Sequence, residues 1–509
     1  MRRYRRLPVT LLLASLLPLG AAAGCAGTGS GRPAARPTPA TSPTPTSPTP
    51  TGPASPTGPS PGTGPSPSPA AGAAAWTTYQ DSAAHLGDAG ADPALDPLRP
   101  AWKATLDGTA VYGQPLLFRG KVIVATEADN VYALDAATGR VDWQVSLGQP
   151  LRGVAAAAGC GDVDPLGVTS TPVVDAATGT VYVVGEVSTA GRPPVHHQLV
   201  GIDVATGRTV LSVDADPPLP AGQDRLHLLQ RAALALGNGR VYIGYGGQYG
   251  DCGDYSGWVV GVAVPGPPGA PPAAGPAQAA FDVTPGGTGG AVWDGGSGPA
   301  IGPHGTVYVT TGNPDRPGPA PWTEAVLELG AGLGGRPLAA FQDRAAHGDL
   351  DLSTGGPVLL PGGLLFVVGK TDVGFVLSRS GLAPVAAIAG VCGSDPDGGP
   401  AFDGRTGSIY VPCRAGGIQQ VNLTGRRLGW RAGRANSTPV LAGGDLWALR
   451  YPDGILEELD PVSGRVLQSL PVGRRVPTFA SLSVAAGLVL VPTVSGVEAF
   501  QGPAGPGTS

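Results

Sequence analysis

The densest set of reactive side chains lies between residues 244 and 258. Tyr245, Gln248, Tyr249, Asp251, Asp254, Tyr255 and Trp258 place stacking surfaces beside carboxylates and an amide. Such a set can hold a small polar ring, because aromatic faces give apolar contact and a few polar groups fix orientation. It can equally be a loop that packs on its own aromatics. Arg231 could grip a carboxylate through two parallel hydrogen bonds, with a salt bridge between neighbouring structural units as the plainer reading. Lys370 ends an apolar run at a glycine, where an amine could meet an anion. Asp349 and Asp351 share a face if their segment is extended, and they are the candidates for a Ca2+ site, with turn capping as the alternative. Asp395 and Asp397, in a DPDGG segment, read as turn formers. His196 and His197 are adjacent, and neighbours in a strand point to opposite faces, so no joint metal site is expected. No G-x-S-x-G, H-E-x-x-H or P-loop segment occurs, so no catalytic residue is assigned.

The elements that must position these residues are legible in the composition. The 509 residues include 83 Gly and 56 Pro, together more than twice the average share of about 12%. Long helices cannot tolerate that content. The 42% hydrophobic share, with eight Trp, argues against wholesale disorder. With a net charge of −5, no nucleic-acid partner is expected. Short strands and turns remain, hence an all-β fold.

A repeat sets the architecture. A Pro or small residue, an apolar run, a Gly-bearing turn and a second apolar run recur from Gln114, Thr171, Ala232, Pro299, Gly356, Gly399, Thr438 and Ala480. Each copy reads as a hairpin. A third strand, a turn and an outer strand follow, most clearly in "NVYALDAATGRVDWQVSL" from Asn130. Eight such four-stranded antiparallel units, spread over 101–500, predict an eight-bladed β-propeller. The ends are complementary. "RPAWKATL" at 99–106 reads as an outer strand with no third strand before it, and "SGVEAF" at 495–500 as a third strand with no outer strand after it. Pairing them closes the ring and removes its free edges.

The segments outside the ring carry address information. Arg2, Arg3, Arg5 and Arg6 precede the apolar run Leu7 to Leu19, the layout of an export signal over 1–24. Residues 25–75 form a Pro/Thr/Ser/Gly linker that cannot bury a core. Residues 76–100 are expected to be an arm packing on the propeller, and 501–509 a flexible tail. Four cysteines remain after Cys25: Cys160, Cys252, Cys392 and Cys413. An even number in an exported chain implies disulfides, with three pairings open. Cys392 and Cys413 flank one predicted hairpin, and Cys160 and Cys252 would be left to pair together.

Two resemblances add to this reading. Ala22-Ala23-Gly24-Cys25 resembles the bacterial lipobox, which implies a lipid on Cys25, export from the cytoplasm and membrane attachment through that lipid in a bacterium. "VYALDAATGRVDW" resembles the repeat of quinoprotein-type propellers, a superfamily that includes pyrroloquinoline quinone (PQQ) dehydrogenases and barrel-assembly lipoproteins. The resemblance implies the propeller fold, and PQQ with Ca2+ as the cofactor if the chain is an alcohol dehydrogenase. Such enzymes often carry a disulfide between adjacent cysteines, and no adjacent pair is present here. The expectation is therefore a monomeric, lipid-anchored envelope module that binds a protein or small-molecule ligand. A PQQ-dependent oxidoreductase is the alternative, and an envelope assembly scaffold the second.

Overall fold

The computed structural model describes residues 75–90, 95–319 and 322–503. The expected leader over 1–24, Cys25, the linker up to residue 74 and the last residues of the tail lie outside them. Among the described residues no helix is long and apolar enough to cross a membrane.

Eight antiparallel four-stranded blades form the ring. Blade 1 runs from the inner strand Leu116–Phe118 through Lys121–Ala125 and Asn130–Asp135 to the outer strand Val141–Ser146. The later inner strands are Val173–Asp175, Ala235–Gly237, Ala300–Ile301, Val358–Leu360, Ala401–Asp403, Val440–Ala442 and Ser483–Ala485. The first three strands of a blade are buried along most of their length, because a neighbouring blade covers each face. The outer strand alternates: Val141–Ser146, Thr209–Asp214 and Val466–Pro471 expose every second residue more fully. That is the period of a strand with one face in water.

Ring closure follows the sequence expectation. Arg99–Thr105 is the outer strand of blade 8 and pairs antiparallel with Gly496–Gln501, with Thr105 opposite Gly496 and Arg99 opposite Gln501.

The recurrent Asp-x-x-Thr-Gly turn serves two purposes. Asp135 accepts hydrogen bonds from the backbone N–H (2.9 Å) and hydroxyl (2.6 Å) of Thr138. Gly139 follows at φ +70°, and a Cβ there would stand 2.4 Å from the ring of Trp102. Only glycine meets both demands. Trp102 belongs to the preceding outer strand, and its indole N–H donates to Ala136 O at 2.8 Å. Trp143 repeats the contact with Gly207 and Val204 O, and Trp430 with Gly464 and Pro461 O. Each indole locks one blade to the next.

The segment before the closing strand threads the centre of the ring. Trp76 exchanges backbone hydrogen bonds with Leu117 (2.8 and 2.9 Å), and Thr77 O accepts from Val174 N. Ala83, Ala84, Leu86 and Gly87 then accept from Ile301, Leu359, Phe402 and Leu441. These partners lie on the inner strands of blades 1, 2, 4, 5, 6 and 7. Trp76, Tyr79 and Gln80 are fully buried. Gln114 ties them together: its Oε1 accepts from Trp76 Nε1 (3.0 Å) and Gln80 N (2.9 Å), and its Nε2 donates to Leu482 O (2.6 Å). The arm therefore fills the axis with protein.

Candidate functional site

A meander of four strands puts the loops between blades, and those between second and third strands, on one face of the ring. The ligand- and metal-site candidates expected from the sequence, from Arg231 to Lys370, fall in or beside those loops. Arg231 precedes the inner strand of blade 3. Its guanidinium carbon lies 5.5 Å from the ring centre of Tyr112, in the loop entering blade 1, and 5.7 Å from that of Phe479, in the loop entering blade 8. Arg414 of blade 6 stands 5.7 Å from the same Phe479 ring. Blades that are not neighbours meet here, so the cluster sits over the axis.

Arg231 is 9% exposed, and burial lowers its pKa from the usual guanidinium value. Nη1 donates to Thr169 O at 3.4 Å, and Nη2 has no partner. The expected blade-to-blade salt bridge is absent: among the described residues no carboxylate lies within 4 Å of Arg231. Arg414 does pair with acids, at 2.8 Å from Asp395 and 2.9 Å from Asp397 of the loop entering its own blade. These two acids are therefore more than turn formers. Asp397 is fully buried and needs the guanidinium to stay charged.

Lys370 lies between two acids, 2.5 Å from Asp349 and 3.6 Å from Asp351. The two aspartates occupy a loop rather than a strand, and this ammonium already supplies their cation. Asp351 is fully buried and accepts from Asn313 N at 3.0 Å. With the Asn313 amide turned so that its nitrogen faces the carboxylate, the amide donates to both oxygens at 3.1 and 3.2 Å. Burial pushes the Asp351 carboxyl up to about 6, against the pull of Lys370. A carboxyl held there can take up or release a proton near neutral pH.

The 244–258 segment is mostly structural. Tyr245 is buried and donates to Ala215 O at 2.8 Å. Gln248 donates to Leu228 O at 2.9 Å, and Trp258 is buried. Tyr255 donates to Asp251 at 2.5 Å, and Asp254 pairs with Arg316 at 2.7 Å. Tyr249 alone among the aromatics stands out, 70% exposed. The disulfides are Cys160–Cys252 and Cys392–Cys413. The first fastens this segment to the helix-bearing loop before blade 2. Replacing Cys160 and Cys252 together by Ser is expected to lower stability by about 2–4 kcal/mol, read as a fall in the urea midpoint. An unchanged midpoint would mean the cross-link stabilises nothing.

Sequence reasoning missed a row of buried acids between blades 1 and 2. Glu127 and Asp129 lie in the turn after the second strand of blade 1, and Glu186 on the second strand of blade 2. All three are at most 2% exposed. Glu127 Oε2 accepts from Gly167 N (2.9 Å) and Thr169 Oγ1 (3.2 Å). Its Oε1, and both oxygens of Asp129 and of Glu186, have no hydrogen-bond partner. Burial raises Glu127 to about 8 and Asp129 to about 9, and raises Glu186 as well. His197 stands opposite Glu186 with Nε2 3.6 Å from its carboxylate, and its Nδ1 bonds Asp216 at 2.9 Å. Burial disfavours the His197 charge, but Asp216 and Glu186 more than offset that and carry its pKa to about 9. Single acids at strand ends resemble ordinary polar termini, so no pattern announced them.

The adjacent histidines also depart from expectation. Both rings reach Asp216, His196 at 3.2 Å and His197 at 2.9 Å. Asp216 lies past the end of the edge strand, where one carboxylate can meet rings from both faces.

Comparison with known proteins places the fold. The family model for outer membrane protein assembly factor BamB matches residues 68–263, less than half of the chain. The structure is similar to quinohemoprotein alcohol dehydrogenase from Comamonas testosteroni, with TM-score 0.65 and 17% identity over 86% of this chain and 81% of that one. It is similar to a europium-containing methanol dehydrogenase, with TM-score 0.64 and 16% identity over 83% and 90%. BamB from Moraxella catarrhalis gives TM-score 0.52 and 14% identity over 79% and 99%. No curated protein matches the sequence. At these identities the likeness establishes the fold and leaves the activity to the residues.

The cofactor of the dehydrogenases is a fair test of those residues. A planar quinone with carboxylates would find a buried guanidinium with a free N–H group, flanked by two aromatic rings. A cation beside it would find the unpartnered Oε1 of Glu127, which lies close enough to Arg231 for their charges to interact. The donor set is compatible with both.

Proposed function

We propose that this chain is an extracytoplasmic binding module whose upper face captures a small, planar, anionic ligand over the sealed axis of the propeller. One observation carries the reading: Arg231 is buried with an unpartnered Nη2 and no facing carboxylate, between the rings of Tyr112 and Phe479. Glu127 and Asp162 act on its charge from a distance, but no carboxylate pairs with it directly, and an anionic ligand would supply that contact. The flanking rings would stack on a planar body. Two disulfides suit an oxidising compartment. Membrane attachment through a lipid on Cys25 belongs to the same proposal.

PQQ, with and without Ca2+, is the probe. Titration calorimetry on the full-length protein should show saturable binding. Arg231→Leu should weaken it at least about tenfold, the value of a lost charge-assisted hydrogen bond. A melting curve confirms that the variant is folded. Binding that is equal in the variant, or absent from the parent, would overturn the proposal.

A second reading, oxidoreductase, is favoured by Asp351. Its carboxyl is held by Asn313 and faced by Lys370, with a pKa near neutrality. PQQ would supply the electron acceptor when bound. Asp351 would hold and release a proton at its carboxylate, and Lys370 would tune it. Dye-linked alcohol oxidation by the PQQ-loaded protein, abolished in Asp351→Asn, would establish this reading. Binding without turnover would leave the module reading standing.

A further inference from the structure

We infer that His196, Asp214 and Asp216 form a divalent transition-metal site on the rim of the propeller, in the cleft between blades 2 and 3. The inference is independent of the upper-face reading and uses none of its residues. One ligand atom from each residue lies within 4.8 Å of the other two, and no other group of three such residues among those described meets that spacing. Ligands 2.0–2.2 Å from one ion stand no more than about 4.4 Å apart, so small side-chain adjustments bring the three onto a metal. One imidazole and two carboxylates form a donor set for Zn2+ and its neighbours rather than for Ca2+.

The surroundings prepare Asp216 for this role. Its Oδ1 accepts from His197 N and Nδ1, both at 2.9 Å, and His197 is wholly buried. That contact fixes the carboxylate from behind and turns Oδ2 outward, the second-layer support that metal ligands ordinarily receive. Oδ2 faces His196 Nδ1 at 3.2 Å and the Arg225 guanidinium. Asp214 Oδ1 accepts from Asp216 N at 2.7 Å, which leaves its second oxygen for a ligand bond. Gln278 of blade 3 donates to Asp216 O at 2.7 Å and holds the far wall. Asp214, Asp216, Pro217, Pro218, Arg225 and Gln278 line a cleft of about 590 Å3 that opens to solvent. A metal bound here would keep open positions for water or an exogenous ligand.

Arg225 is the competitor. Its guanidinium takes the place a cation must take, and its side chain is 40% exposed, free to swing away. The metal would displace it from Oδ2.

Zn2+ titration of the full-length protein, followed by calorimetry, tests the site. One Zn2+ per chain should bind. His196→Ala and Asp214→Asn should each weaken binding at least about tenfold. Both residues are exposed, so the fold should survive, as a melting curve would verify. Arg225→Gln should tighten binding by removing the competing cation. No Zn2+ binding, or binding unchanged in His196→Ala and Asp214→Asn, would overturn the inference. Unchanged or weaker binding in Arg225→Gln would show that the guanidinium is not in the metal's place, and would overturn it too.

Discussion

Replacing Trp76 by Ala is expected to destabilise the whole propeller by about 3–5 kcal/mol, the usual result of emptying a fully buried tryptophan site. The residue is 0% exposed, although it lies forty residues before the first inner strand and outside every repeat. Its indole N–H is one of two donors to Gln114 Oε1, and its backbone pairs with Leu117. The substitution therefore opens a cavity on the axis and leaves a buried acceptor partly satisfied, and these losses add in one direction. Urea unfolding followed by fluorescence gives the measurement. A loss well under about 1 kcal/mol would mean that the arm merely lies on the ring and contributes nothing to holding it.

The second large effect concerns pH. Asp129 and Glu127 hold their protons in the fold, to about pH 9 and 8. In an unfolded chain such carboxyls lose the proton near pH 4. Across the interval between, the folded state binds more protons than the unfolded one, so stability falls as pH rises. His197 has the same sign, because its pKa of about 9 exceeds the unfolded value near 6.5. Its contribution is complete below pH 6.5 and lost by pH 9. Acids with lowered values, such as Asp107, Asp135, Asp203 and Asp216, act in the opposite sense only at or below about pH 4, outside this window. The melting temperature should therefore decline from pH 5 to pH 9 and then level. Asp129→Asn should flatten the decline and leave the variant more stable than the parent at pH 9. A flat profile in the parent, or an equal slope in the variant, would mean that Asp129 is ionised in the fold.

Much of this fold can be read from the sequence because its information is local. A blade hairpin is two apolar runs and a glycine within fifteen residues, and the Asp-x-x-Thr-Gly turn is five residues long. Ring closure is the exception that was still legible, since the unpaired ends at 99–106 and 495–500 complement one another. The arm was harder. "WTTYQDSAAHLG" has neither a two-residue nor a helical period, because its partners are six different inner strands and no single neighbour imposes a rhythm. The site was legible by residue type more than by role. Arg231 and Lys370 are readable as cations. That the first has no carboxylate within ion-pair distance and the second already holds two depends on how separate loops come together. The strand period argued correctly that His196 and His197 point apart, but it could not show that Asp216 waits beyond the strand end to meet both.

The closing pair has a further consequence, in time rather than in space. The outer strand at Arg99–Thr105 emerges among the first parts of the ring to be synthesised, and its partner Gly496–Gln501 among the last. The threaded arm is likewise made before nearly every strand it bonds. Until Gly496–Gln501 has been made, the ring is an open arc whose outer strand Arg99–Thr105 lacks its partner. The cost falls on interrupted synthesis, since any product that stops before residue 496 presents two bare strand edges and is an immediate substrate for aggregation or proteolysis.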